Sequence, residues 1–170
     1  MKITDPETGT EMAESEIGMI EVRGPNVFKG YWNMPDKTAL ELRETGYFIT
    51  GDLGKLSSDG YLSIVGREKD LIISGGYNVY PKEVEDILNG LNQIDETAVF
   101  GIPDNDLGER VVAAIVLEKN KNFNQIKTEV SVNKKLARYK QPKEYFVLDS
   151  LPRNSMGKVQ KNELRKQFSN

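Results

Sequence analysis

The chain has 170 residues, 38% hydrophobic and 29% charged, with a formal net charge of −3. That suits one ordinary domain, or a small domain beside part of another, and no apolar run approaches the roughly 18 residues of a membrane span. There is no cysteine and no histidine, which excludes disulfides, thiolate nucleophiles, a Ser-His-Asp triad, a histidine general base and any metal held by Cys or His.

Chemistry must therefore rest on Lys, Arg, Asp, Glu, hydroxyls and backbone amides. Such groups are better at fixing and neutralising phosphates than at moving protons near neutral pH. The start, Met1-Lys2-Ile3-Thr4-Asp5-Pro6, lacks the apolar core of a signal peptide, so the expected location is cytoplasmic. Charge is spread unevenly. Residues 1–66 hold 6 Lys/Arg against 11 Asp/Glu, whereas residues 134–166 hold 10 against 3. A basic stretch of that kind attracts a polyanion such as a nucleotide or CoA, or else forms a solvated face. Nucleic acid is not the expected partner, because the sequence pI is about 5.2 and no aromatic stacking motif is interleaved.

In chain order, Ile17–Arg23 reads as a strand ended by Gly24-Pro25. Asp36 is placed to cap a short helix running through Leu42, with Gly46 after it. Phe48–Asp52 enters a strand–turn region, and Leu53–Leu56 and Tyr61–Val65 flank the hairpin signal Ser57-Ser58-Asp59-Gly60. The texture changes near Gly66-Arg67. Leu71-Ile72-Ile73 is expected as a short buried strand and Ser74-Gly75-Gly76 as a turn. Pro81 opens a helix whose Val84, Ile87, Leu88 and Leu91 form an apolar stripe. Glu96–Ile102 and Val111–Glu118 read as strands around a Pro103–Gly108 loop. Residues 124–137 are expected to be helical, with Ile126/Val130 and Val132/Leu136 as apolar pairs. Tyr145–Leu148 reads as a strand, a Pro/Gly-bearing loop presents Lys158, and Lys161–Phe168 closes as a helix.

The order strand–helix–strand–strand–helix–strand predicts an α+β fold: a small C-terminal domain over 68–170, with a three-stranded sheet, helices and a short hairpin. Residues 1–67 read as a mostly β piece of a larger domain, since isolated short strands without a partner sheet are marginal.

Six segments then stand in order: Gly30-Tyr31-Trp32-Asn33-Met34-Pro35, Thr50-Gly51-Asp52, Asp59-Gly60-Tyr61, Gly66-Arg67-Glu68-Lys69-Asp70, Ile73–Pro81 around Ser74-Gly75-Gly76, and Leu151-Pro152-Arg153-Asn154-Ser155-Met156-Gly157-Lys158-Val159. In these the chain resembles the final third of the adenylate-forming enzymes, the superfamily of acyl-CoA synthetases, peptide-synthetase adenylation domains and luciferases. Its wording is most similar to that of malonyl-CoA synthetases, with medium-chain acyl-CoA synthetases next.

The resemblance implies roles. Asp52 would accept the ribose hydroxyls of ATP, and Arg67, a planar donor, would contact the same ribose. Alternatively, Asp52 is a turn residue and Arg67 pairs with Glu68 or Asp70. Lys69 would be the hinge about which the C-terminal domain rotates. Ser74, Gly75 and Gly76 would line the pantetheine tunnel, where glycines permit close approach. Lys158 would be the catalytic lysine, reaching the substrate carboxylate and the α-phosphate. Part of the basic stretch, including Lys134, Lys135, Arg138, Lys140 and Lys143, is expected to meet the CoA phosphates.

The implied function is that of an acid–CoA ligase using ATP, a small carboxylic acid and CoA, and releasing AMP and pyrophosphate. The phosphate loop, the adenine-stacking motif, the Mg²⁺ site and the acyl pocket of the family belong upstream of these motifs. The chain is therefore expected to be inactive alone. The alternatives are a non-catalytic remnant, a separate lid complementing an independently encoded N-terminal half, or a piece cut from an intact enzyme.

Overall fold

The computed structural model describes residues 1–169. They divide into two compact units, the first Met1–Lys69 and the second beginning at Asp70.

The first unit is a four-stranded antiparallel sheet in the order β1-β2-β3-β4, from β1 (Lys2–Thr4), β2 (Gly18–Val22), β3 (Phe48–Leu56) and β4 (Leu62–Arg67). β3 and β4 form the hairpin expected around Asp59-Gly60, in a register that sets Asp52 opposite Arg67. One helix, α1 (Pro35–Glu41), interrupts the strands. Asp36 does not cap it: Met34 holds the cap position without a side-chain hydrogen bond, and Asp36 lies in the first turn. Proline at the first helical position already fixes φ and has no N–H to satisfy, so the start needs no acceptor one residue later.

Glu21 is the one charged side chain among the buried residues of this unit. Burying a carboxylate is costly unless it is paired. Here Arg43 lies 2.6 Å away, the Thr4 hydroxyl donates at 3.0 Å, and Lys2 stands 3.4 Å from the second oxygen. Burial alone would raise the Glu21 carboxyl. The three donors outweigh it and hold the group below its ordinary 4.5.

The second unit is built on a five-stranded sheet. β7 (Ile94–Asp104) and β8 (Gly108–Leu117) form its long antiparallel hairpin, and β9 (Glu144–Leu148) runs parallel to β8 along Val112–Val116. β5 (Ile72–Ser74) and β6 (Tyr77–Val79) make the short hairpin, joined to β8 through Ser74 and Gly108. Strand alternation sorts the apolar side chains onto two faces. Val111, Ala113 and Ile115 pack with Ile72, Val84 and Leu88, beneath α2 (Pro81–Asn89) and α3 (Gln125–Asn133). Val112, Ala114 and Val116 pack with Phe100, Leu151 and Leu164, beneath α4 (Lys161–Phe168).

Three expectations need correcting. The β7–β8 connection is shorter than Pro103–Gly108, because Pro103 still pairs with Glu109 and Asp104 with Gly108. Ile73 of β5 is 54% exposed, while its neighbours Ile72 and Ser74 are buried, as period-2 alternation requires of a half-covered strand. In α3 the buried positions are Thr128 and Val132, followed by Leu136 beyond the helix; Ile126 and Val130 face outward. The inward position held by Thr128 escapes an apolar count, because the hydroxyl donates to the Asn124 carbonyl at 3.0 Å and so tolerates burial.

Candidate functional site

In the first unit, Asp52 and Arg67 meet across the β3–β4 ladder, Arg67 Nε lying 2.7 Å from Asp52 Oδ1. The Thr50 hydroxyl shapes the approach, accepting the Asp52 N–H at 3.0 Å and donating to the Ile20 carbonyl at 2.9 Å. Gly51 takes φ +71° between them. The partner of Arg67 is thus Asp52, not Glu68 or Asp70; Asp70 lies 3.7 Å from Arg165 of α4. With side-chain exposures of 49% and 29%, the Asp52–Arg67 pair is worth at most about 1 kcal/mol. A ligand bearing hydroxyls can exchange for it cheaply. Lys69 is exposed in a 3₁₀ turn over Glu68–Asp70 and is the last residue of the first unit.

In the second unit, Ser74, Gly75, Tyr77, Leu107, Arg138, Tyr139 and Lys143 line an open cleft of about 530 Å³. The Gly75 N–H is bonded to the Leu107 carbonyl at 2.8 Å, and Gly75 and Gly76 both have positive φ, +59° and +81°. The bend exposes backbone where an L side chain would be strained. Tyr77 and Tyr139 stack at 4.7 Å, giving the cleft an aromatic wall. Its basic members are two of the five residues that the charge run suggested, Arg138 and Lys143. Lys140 is committed to Glu83 at 2.7 Å, whereas Arg138 and Lys143 line the cleft and form no ion pair within 4 Å among the described residues. Tyr77, Leu107 and Tyr139 were missed as site residues, because their placement depends on the β5–β6 turn, the β7–β8 turn and the 3₁₀ turn over Arg138–Lys140 coming together.

Lys158 lies on the opposite face of the sheet from α2 and α3. The segment 151–159 is anchored by Leu151 and Val159, both packed in the cluster under α4. Arg153 and Val159 pair as an isolated bridge, closing a small hairpin. Its tip is a turn from Asn154 to Gly157, with the Gly157 N–H bonded to the Asn154 carbonyl at 2.9 Å and Gly157 at φ +77°. Lys158 is exposed, and its ammonium makes no ion pair among the described residues. The arrangement offers a free cation on a shaped loop. Among the described residues no group of three or more acidic side chains could hold a metal ion, and no helix is long and apolar enough to cross a membrane.

An α+β unit that carries a glycine-bent cleft on one part of its sheet and a loop-borne lysine on another is of the AMP-binding-enzyme C-terminal type, and residues 83–158 match the family model of that domain. Over those residues the chain carries an AMP-binding-enzyme C-terminal domain, and the curated relatives it matches include acyl-CoA ligases. It is 43% identical over 95% of its length to a long-chain-fatty-acid–CoA ligase of Bacillus subtilis, and 42% identical over 92% to an indoleacetate–CoA ligase of Aromatoleum aromaticum. It superposes on ATP-bound MatB from Rhodopseudomonas palustris with a TM-score of 0.94, at 50% identity over 99% of the chain and 34% of MatB. The chain spans about a third of the length of these relatives.

Proposed function

We propose that the chain is the C-terminal portion of an ATP-dependent acid–CoA ligase, with Lys158 as its adenylation lysine. The observation that carries this reading is the exposed Lys158, its ammonium in no ion pair among the described residues, on a loop whose backbone is tightly fixed, within a family-matched domain. In the first half-reaction a carboxylate oxygen bonds to the α-phosphorus of ATP, and the bond to the bridging oxygen of pyrophosphate breaks. Lys158 neutralises charge on the carboxylate and the α-phosphate as this happens. A compact ammonium on a flexible stem suits a partner whose charge moves.

Asp52 and Arg67 hold the ribose in this reading, their weak mutual pair giving way to the two hydroxyls. In the second half-reaction the CoA sulfur bonds to the acyl carbon, AMP leaves with the electron pair of the broken acyl–phosphate bond, and the thiol proton passes to solvent. The cleft of Ser74, Gly75 and Tyr77 has room for a pantetheine arm, with Gly76 completing the bend. In this reading Arg138 and Lys143, which line the cleft, meet the CoA phosphates and Tyr139 meets a base. Lys69 keeps the hinge role between the two half-reactions. Magnesium would supply neutralisation of the outer phosphates, through ligands in an N-terminal part of the enzyme.

Malonate is the first acid to test, given the wording of the motifs and the 50% identity to MatB. The reading places the enzyme in the cytoplasm, and residues 1–67 at the end of a larger adenylate-binding domain. The chain by itself is expected to show no acyl-CoA formation with ATP, Mg²⁺, malonate and CoA. Robust turnover by the purified 170 residues would refute that dependence on an N-terminal part.

A further inference from the structure

The peptide group that joins Gly157 to Lys158 is gripped from both ends. Its carbonyl accepts from Arg153 Nη1 at 2.7 Å, and its N–H donates to Asn154 Oδ1 at 2.9 Å. The same Asn154 oxygen accepts the Met156 N–H at 3.0 Å, and the Asn154 N–H donates to the Lys158 carbonyl at 3.0 Å. The direction of the Lys158 side chain is therefore set by its backbone, while its ammonium stays in solvent.

Arg153 is in turn held by a residue far away in sequence. Its Nη2 pairs with Glu96 of β7, 57 positions earlier. Glu96 stands where the β7–β8 register shifts between Ile94 and Glu96, opposite Val116. We infer that Glu96, acting through Arg153, is a positioning residue for Lys158: the carboxylate fixes one arm of the guanidinium so that the other fixes the 157–158 peptide. The inference rests on the reading of Lys158 as the adenylation lysine.

A hairpin closed by a single bridge is marginal alone. Leu151 and Val159 secure its stem, but the tip has only polar ties. Arginine suits the junction because its planar fork serves two acceptors at once, which the single point donor of lysine does less well. The pair is also exposed enough, at 44% and 29% of the two side chains, to be a minor contributor to overall stability. Its loss should be felt in the loop rather than in the fold.

The test uses two readouts. In the 170-residue chain, backbone ¹⁵N relaxation at Met156, Gly157 and Lys158 should change from rigid order parameters near roughly 0.85 to below about 0.6 in Glu96→Ala, with β7 and β8 unchanged. Glu96→Gln and Arg153→Lys should fall between. In a fusion of the chain behind the N-terminal part of MatB, Glu96→Ala should lower kcat for adenylation about tenfold with KM for ATP little changed, and Glu96→Gln should recover part of it. Unchanged order at the three residues in both Glu96→Ala and Arg153→Lys would overturn the tether, and a loosened loop with unchanged kcat would overturn its role. If Lys158→Ala left adenylation intact, the reading of Lys158 would fall and the positioning role with it, while the relaxation data would still show whether the tether exists.

Discussion

At the scale of single residues, the chain separates charges that are spent from charges that are available. Lys140 is spent on Glu83 and Lys161 on Glu85, whereas Arg138 and Lys143 line the cleft. In the MatB fusion, Arg138→Glu and Lys143→Glu should each raise KM for CoA several-fold, and Lys140→Glu should act mainly on stability through Glu83. Steady-state kinetics with CoA varied checks this, and equal KM effects from all three would contradict it. The buried Glu21 makes a separate prediction. A carboxyl that ionises more readily in the folded chain adds stability above its unfolded value, and loses that contribution as pH falls below about 4.5. Arg43→Ala leaves the carboxylate without its nearest cation and should destabilise the first unit by about 3 kcal/mol at neutral pH, measured by denaturant titration.

At the scale of elements, what was legible in the sequence depended on how local each signal was. The α2 stripe is a local pattern, and Val84 and Leu88 are fully buried. The β3–β4 hairpin followed from Ser57-Ser58-Asp59-Gly60, where Gly60 takes φ +79°. Of the two apolar pairs expected in and after α3, Val132/Leu136 is buried, but Ile126 and Val130 face outward while inward Thr128 is polar, so there hydrophobicity ran against burial. At the candidate site, Lys158, Asp52 and Arg67 stood out through motifs. The Glu96–Arg153 tie and the Tyr77–Tyr139 wall did not, since neither has any local signature. α4 depends on tertiary packing through Leu164, its one fully buried residue. Leu164→Ala should cost about 3 kcal/mol and loosen the cluster that includes Leu151 and Val159. Thermal unfolding checks the loss, and a change under about 1 kcal/mol would contradict the packing described.

At the scale of the whole molecule, the two units should respond to opposite ends of the pH range. The first carries Glu21, whose contribution fades in acid. The second carries Tyr145, whose phenol is pushed up to about 12 by burial, with Glu129 adding to the shift. An unfolded chain ionises this tyrosine near 10.0, so the second unit loses stability as pH climbs from there towards about 12. Amide signals from the two units should report the two losses separately. On the proposed reading, function also belongs to this scale, because adenylation would need an adenine platform and a phosphate loop besides Asp52, Arg67 and Lys158. The most direct measurement is therefore made on the MatB fusion, comparing the parent with Lys158→Ala in two assays. The parent should form malonyl-adenylate and pyrophosphate, and Lys158→Ala should lower that rate by about 10²–10³-fold while retaining thioester formation from supplied malonyl-adenylate and CoA. Undiminished pyrophosphate release from Lys158→Ala would contradict the assignment.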